Sequence, residues 1–457
     1  MPAKLLPTHP AAPALVQTPG TPSVLRRLLR RRQFQQARLP VALRRWLLMG
    51  YGSLGLAFWL LLAMQEGGLF RGSMGADFAA FWAATHAFVA EGAAAAYSPA
   101  SIATYAAHLP GLNVFSHDGS LQVLPAPYPP IFFAMFVPFA FLPPTLGFAA
   151  WTAVNLVAIV VVCRRLSTRY ETSALALVLA SGAFYPLAIS LYTGQPGGLV
   201  LLLFELAYTN LVLGREFTAG IWLGVLLIKP QYAALLLLMI VVQKRWTTFR
   251  GVVIAGSMVV LSSPLILGLA GLRTYDAVLG SLLSFRAAPA GVYPAMMTSW
   301  RGLLVNLLPG TGEQVGIALS VLLSLLTVAL TLWIVRQPRN ATEPVFAERM
   351  CLLMCATLLT AFYGQIHGAV LLIVPFVALL GSRRAGHFPV LVVIVGLLLP
   401  YAVLLMLHHA AFVPITFTSL VLVTFGYLAV RALVNPSETV HPASQTGPAN
   451  GRWQEQS

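Results

Sequence analysis

"YPPIFFAMFVPFAFLPP", residues 128–144, is apolar enough for the interior of a bilayer but too short to cross one. A helical span needs roughly 20 residues, and this stretch is only about 15 long and bounded by double prolines, which end helices by removing a donor and clashing with the preceding turn. Counting it as a full crossing would turn the next basic loop, "CRRLSTR" (163–169), to the outside, against the tendency of Lys and Arg to stay inside. We therefore read 128–144 as a re-entrant or half-membrane segment, a form tolerated at membrane depth where protein surrounds it.

Outward from this stretch the chain keeps the same character. Of its 457 residues 58% are hydrophobic and 9% charged, and long apolar runs recur from residue 43 to residue 431. That composition belongs to an all-α polytopic membrane protein. Spans are expected near 43–64, 147–163, 173–190, 197–213, 217–230, 232–243, 250–270, 314–336, 345–361, 366–381, 388–407 and 412–431, about twelve crossings. The pair 217–243 reads as a hairpin of two partial spans broken at Pro230 in "IKPQY".

The net charge of +15 does not mark a nucleic-acid binder, because the basic residues sit in short clusters between apolar runs. With the N-terminus inside, those clusters fall on one side. The outside segments, 65–127 and 271–313, hold only Arg71, Arg273, Arg286 and Arg301, and Lys229 is left in the membrane. Three parts follow: a basic cytoplasmic segment (1–42, with "VLRRLLRRRQFQQAR"), a membrane domain (43–431), and a polar Pro/Ser/Gly-rich cytoplasmic tail (432–457) expected to be disordered. Cys163, Cys351 and Cys355 fall within or at the end of apolar runs, so neither disulfides nor zinc are expected.

Phe78, Phe81, Trp82, Thr85, Phe88 and Val89 recur at helical spacing, which predicts an interfacial helix with its aromatic stripe anchored in lipid. The polar chemistry gathers at the same outer face: Asp77, Tyr128, "YTGQPG" (192–197), Lys229, Arg286, Arg301 and "YGQIH" (363–367). A single polar residue at a helix end is often a solvated cap; their convergence points to a site. Asp77, where a membrane helix hands over to the interfacial one, is the best candidate for a general base. Asp118, beside His117, reads as a second acid, a metal ligand or part of a flexible turn. Glu205 sits mid-span without a named partner, Tyr208 being one hydroxyl in reach. Lys229 either meets a phosphate or snorkels to the interface. Arg286 and Arg301 flank "YPAMMTSWRG", and their forks suit phosphate oxygens. His367 is a helix cap or a ligand binder.

"ADFAAFWAATHAFVAEGAAAAY" (76–97), "YPPIFFAMFVPFAFLP", "GQPGGLVLLLFELA" (194–207), "AGIWLGVLLIKPQY" (219–232) and "SWRGLL" (299–304), in this order, resemble glycosyltransferase family 87 over roughly residues 45–385. These are bacterial membrane enzymes of the GT-C type and include polyprenyl-phosphate-mannose-dependent α-1,2-mannosyltransferases. The resemblance implies a GT-C fold in the cytoplasmic membrane with its site facing the periplasm. It implies inverting transfer of a hexose, mannose by this likeness, from a polyprenyl-phosphate sugar to a glycolipid or glycan. The family's aspartate base matches Asp77; its Tyr-Pro-Pro, Gly-Gln and Lys-Pro motifs match Tyr128 to Pro130, Gly194 with Gln195, and Lys229 with Pro230. A late motif carrying Pro-His and a following Asp in many members survives here as "YGQIHGAV", with His367 in the histidine's place and no Asp. Donor phosphate and sugar are thereby expected at Lys229, Arg286, Arg301, Gln195, Tyr128 and His367. No DxD pair or His cluster asks for a metal, and no cofactor is expected beyond the lipid-linked donor. The competing reading is a lipid or solute transporter or flippase, which suits broken helices but predicts related halves and polar residues near midplane.

Overall fold

The computed structural model describes residues 41–65, 74–107, 109, 126–283, 285, 294–336, 343–381 and 412–434. Most of the basic N-terminal segment, the expected span at 388–407, nearly all of the tail, Asp118 and Arg286 lie outside the described residues. Among those described, the regular structure is helical, with one isolated antiparallel bridge between Met297 and Gln365. The helices are α1 (Val41–Gln65), α2 (Ala76–Ala90), α3 (Pro99–Ala106), α4 (Pro130–Ala140), α5 (Pro144–Tyr170), α6 (Ala174–Ala183), α7 (Tyr185–Thr193) and α8 (Gly197–Val212). They continue as α9 (Glu216–Val225), α10 (Pro230–Val242), α11 (Trp246–Ser281), α12 (Trp300–Leu307), α13 (Glu313–Val335), α14 (Glu343–Thr360), α15 (Ile373–Gly381) and α16 (Phe412–Val434).

Among the described residues four helices are long and apolar enough to cross a membrane: α5, the first part of α11 (Trp246–Leu269), α13 and Ile415–Leu433 of α16. The pair α6 and α7, bent by 71°, makes a fifth if it is one span. Twelve crossings are therefore not what these helices show. Hydropathy registers apolar runs, but Pro and Gly cut several into pieces of half a bilayer. The segment that opened the sequence reading is one of them: α4 has 11 residues, about 16 Å at 1.5 Å per residue, and "FLPP" turns the chain straight into α5.

The aromatic stripe of α2 does not face lipid. Phe78, Phe81, Trp82 and Thr85 are all buried, and the three aromatic residues pack on α4 and α5 in an interior cluster with Phe132, Phe133, Phe136, Phe148 and Trp151. Phe81 meets Phe132 edge-on at 5.0 Å, and Phe136 meets Trp151 at 5.0 Å. Such pairs are each worth about 0.5–1.5 kcal/mol beyond their buried area. Only Val89 of the stripe is exposed.

Small residues set the other contacts. A Cβ at Gly220 would run into the Thr248 carbonyl, and one at Gly251 into the Phe217 carbonyl, so the backbones of α9 and α11 touch. α11 is broken at Gly268, whose φ of 63° and ψ of 180° end its membrane-length part.

Several charged side chains are held in ion pairs away from the candidate site residues. Glu205 is not left to Tyr208: Arg165 Nε donates to its Oε2 at 2.7 Å and Thr209 Oγ1 to its Oε1 at 2.7 Å. Arg169 pairs with Glu343, Arg245 with Glu216, and Arg431 with Glu348. These pairs use the loops expected inside, and α8 and α10 each run from that end to the end where the candidate site residues meet.

Candidate functional site

Three of the candidate residues stand directly before a proline: Tyr128 before Pro129, Gln195 before Pro196, Lys229 before Pro230. A residue in that position is driven away from helical backbone toward an extended one. Lys229 is therefore the last residue before a helix start, and Tyr128 and Gln195 each stand two residues before one, so all three side chains lie outside the helices they introduce. α4, α8 and α10 begin at or just after these prolines, and the three side chains converge.

Gln195 is their meeting point. Its Oε1 accepts from the Tyr128 hydroxyl at 2.7 Å and from Lys229 Nζ at 2.9 Å. Lys229 Nζ also lies 5.0 Å from the Tyr128 ring centre and 5.5 Å from that of Tyr232, so two aromatic faces supply part of the solvation that burial removes. With its oxygen occupied twice over, the Gln195 amide has its NH₂ to offer, and it bonds the Asp77 carboxylate.

Asp77 occupies the first turn of α2, where the helix dipole favours an anion. Two contacts fix it against the Gln195 turn. Gly75 N–H donates to the Tyr192 carbonyl at 2.8 Å, and Gly194, at φ 88°, lies so close to Phe78 that a Cβ there would collide with it. Burial pushes the Asp77 carboxyl above its ordinary value, and hydrogen bonds from Thr193 and Gln195 and the charge of Lys229 offset part of that rise.

A supporting layer holds the turn from behind. Trp151 Nε1 donates to the Gly194 carbonyl at 2.7 Å. Asn155 Oδ1 accepts from Gly198 N at 3.0 Å and Leu199 N at 3.3 Å, capping α8 from the neighbouring α5. Tyr97 donates to the Tyr128 carbonyl at 2.7 Å.

His367 is the second residue of the 3₁₀ segment Ile366–Leu372 and lies within electrostatic range of Lys229. Tyr363 lies within range of both Asp77 and Arg301. Arg301 itself is 1% exposed; its guanidinium donates to the carbonyls of Leu282 at 2.8 Å, Phe362 at 3.1 Å and Phe285 at 3.2 Å. It ties three chain segments together one ring away from the carboxylate. Asp77, Tyr128, Gln195, Lys229 and His367 are thus brought together, and Arg301 borders them. Tyr232, Tyr363, Thr193, Trp151 and Asn155 are additions. Tyr232 and Tyr363 stand within the quoted "IKPQY" and "YGQIH", and Asn155 is a polar residue in an apolar run.

Beside this polar cluster lies an apolar cavity of about 370 Å³. Tyr128, Phe132, Met135, Trp151, Pro196 and Ile228 are among its lining residues, so it abuts the Gln195 and Lys229 positions through their chain neighbours. An amphiphile with an anionic head fits this pairing: apolar tail in the cavity, head at the ammonium, and the carboxylate beyond it.

The model of glycosyltransferase family 87 matches residues 127–359, just over half of the chain. The match contains Tyr128, Gln195, Lys229 and Arg301 and stops short of Asp77 and His367. No curated protein matches.

Proposed function

Since the chain belongs to glycosyltransferase family 87 and is a membrane glycosyltransferase, we propose that it transfers a hexose, mannose in our reading, from a polyprenyl-phosphate donor to a glycolipid or glycan hydroxyl on the outer face of the cytoplasmic membrane. The observation that carries this reading is the row Asp77, Gln195, Lys229, which holds a base and a cation on opposite sides of one neutral amide.

In this reaction the acceptor oxygen attacks C1 of the sugar as the bond from C1 to the phosphate oxygen breaks. The bonding electrons leave with the phosphate, which departs as polyprenyl phosphate. Asp77 takes the hydroxyl proton as the oxygen attacks. Lys229 stabilises the charge that grows on the leaving phosphate, the point at which fixed charge contributes most. Attack from the face opposite the phosphate inverts C1. Tyr128 and Gln195 orient the head group, His367 borders Lys229, and the cavity takes the first isoprene units. Arg301, its donors held by backbone carbonyls, adds its charge at the border of the site in this reading, and Arg286 is assigned to the same cationic surround.

Incubating the purified protein in nanodiscs with synthetic short-chain polyprenyl phosphomannose and candidate glycolipid acceptors tests the proposal. Equimolar glycosylated acceptor and polyprenyl phosphate, with C1 inverted, are expected. Transfer from a nucleotide sugar in place of the lipid donor, or retention at C1, would sink it.

A further inference from the structure

The start of α12 is buried and carries no cap. Ser299, its N-cap residue, is extended (φ −144°, ψ 173°), and its side chain makes no bond to the first turn, although a serine there ordinarily accepts from that turn. Ser299 is 1% exposed and Thr298 0%, and neither hydroxyl has a hydrogen-bond partner among the described residues. A helix start leaves its first amides without acceptors inside the helix; side chains, water or a ligand must satisfy them. Here the Ser299 side chain does not do so, and one further buried hydroxyl, that of Thr298, stands beside it.

This helix start is fastened to the site. Thr298 N–H donates to the Gly364 carbonyl at 2.9 Å, and Met297 pairs with Gln365. That same strand of chain carries Tyr363, within range of Asp77, and His367, within range of Lys229. The helix is held firmly as well: Gly302 packs on the Met297 carbonyl, and Arg301 anchors the first turn to three carbonyls.

We propose that the start of α12, through the Thr298 and Ser299 hydroxyls and the first-turn amides, binds the phosphate of the lipid-linked donor opposite Lys229. This rests on the donor class given above and adds a second, neutral half to the phosphate site. Phosphate oxygens accept from hydroxyls and amides, and the positive end of a helix is a ready anion site. One ammonium leaves most phosphate oxygens unbonded, and a set of neutral donors fixes their orientation without adding a second buried charge.

The test uses the full chain in phosphatidylcholine nanodiscs, with short-chain polyprenyl monophosphate as probe and the matching polyprenol and inorganic phosphate as controls. Ser299→Asp supplies a strong cap and places a carboxylate where the phosphate would sit. It should keep or raise the thermal midpoint while weakening polyprenyl phosphate binding by roughly 10-fold or more. Ser299→Ala and Thr298→Val should each weaken it by about 5-fold and leave polyprenol binding unchanged. A folded Ser299→Asp variant with wild-type affinity overturns the site, and if Lys229→Met loses affinity in the same assay the donor reading survives that failure. Wild-type protein that binds the phosphate no better than the alcohol overturns both. Inorganic phosphate bound as tightly as the lipid overturns the lipid source.

Discussion

Lys229 Nζ and Gln195 Oε1 meet at 2.9 Å, each residue one step before a proline, and Asp77 reaches the same amide from its other side. The base and the cation are thereby neighbours that share a bridge. A direct contact between them would spend both charges on each other and leave neither for substrate.

Lys229→Met should weaken donor binding by roughly 10-fold or more, since a charge-assisted contact to phosphate is lost in a poorly hydrated place. Lys229→Arg should keep part of it, because the charge remains while the fork fits a site shaped for an ammonium poorly. Donor affinity measured by titration in nanodiscs checks this, and an unchanged Met variant removes Lys229 from the phosphate site.

Asp77→Asn keeps the shape of the side chain and its bond to Gln195 but removes the basicity. The protein should fold and bind donor, and turnover should fall by roughly 100-fold or more. Asp77→Glu displaces the carboxylate by about one methylene, and a misplacement near 1 Å can itself cost about 100-fold. Sugar transfer at saturating donor separates these outcomes from a binding defect.

The acid limb of the rate profile should lie above the ordinary aspartate value of 3.8, because burial holds the Asp77 carboxyl up. The base works only when ionised, so activity is present above this raised value and is lost as the pH falls through it. Transfer rates across a pH series check the position of the limb; it should disappear from the residual activity of Asp77→Asn.

Orientation can be read with thiol reagents, because the three native cysteines are buried. Ala90 and Thr168 are both exposed. Ala90→Cys, at the far end of the helix that carries Asp77, should react with an impermeant maleimide in intact cells, and Thr168→Cys, in the basic loop, only after lysis. The reverse pattern would put the site in the cytoplasm.

Much of the site is legible in the sequence because its residues are marked locally. A carboxylate opening an aromatic stripe, and a tyrosine, a glutamine and a lysine each set before a proline, can all be seen without a structure. Other features depend on what lies across the fold. The spacing of Phe78, Phe81 and Trp82 reveals an apolar face, but lipid and protein interior are equally apolar, and only packing shows that α4 and α5 cover it. Glu205 finds Arg165 forty positions away on the neighbouring helix. Arg301 looks like a phosphate fork, yet three backbone carbonyls from two segments, 282–285 and Phe362, take up its donors. The twelve-span count is not confirmed for a related reason: hydropathy measures how apolar a run is, while α4, α8 and α9 end close to a proline or glycine that stops them short.

The cavity beside Tyr128 has the exposed Met135 side chain in its wall, so it opens from the flank of the bundle. A tail that enters there is delivered by diffusion in the plane of the bilayer. The enzyme then responds to the mole fraction of donor among lipids, not to its molarity in the tube. Adding inert phospholipid at a constant total amount of donor should slow transfer by surface dilution, and a KM quoted in micromolar would describe the vesicle preparation as much as the protein.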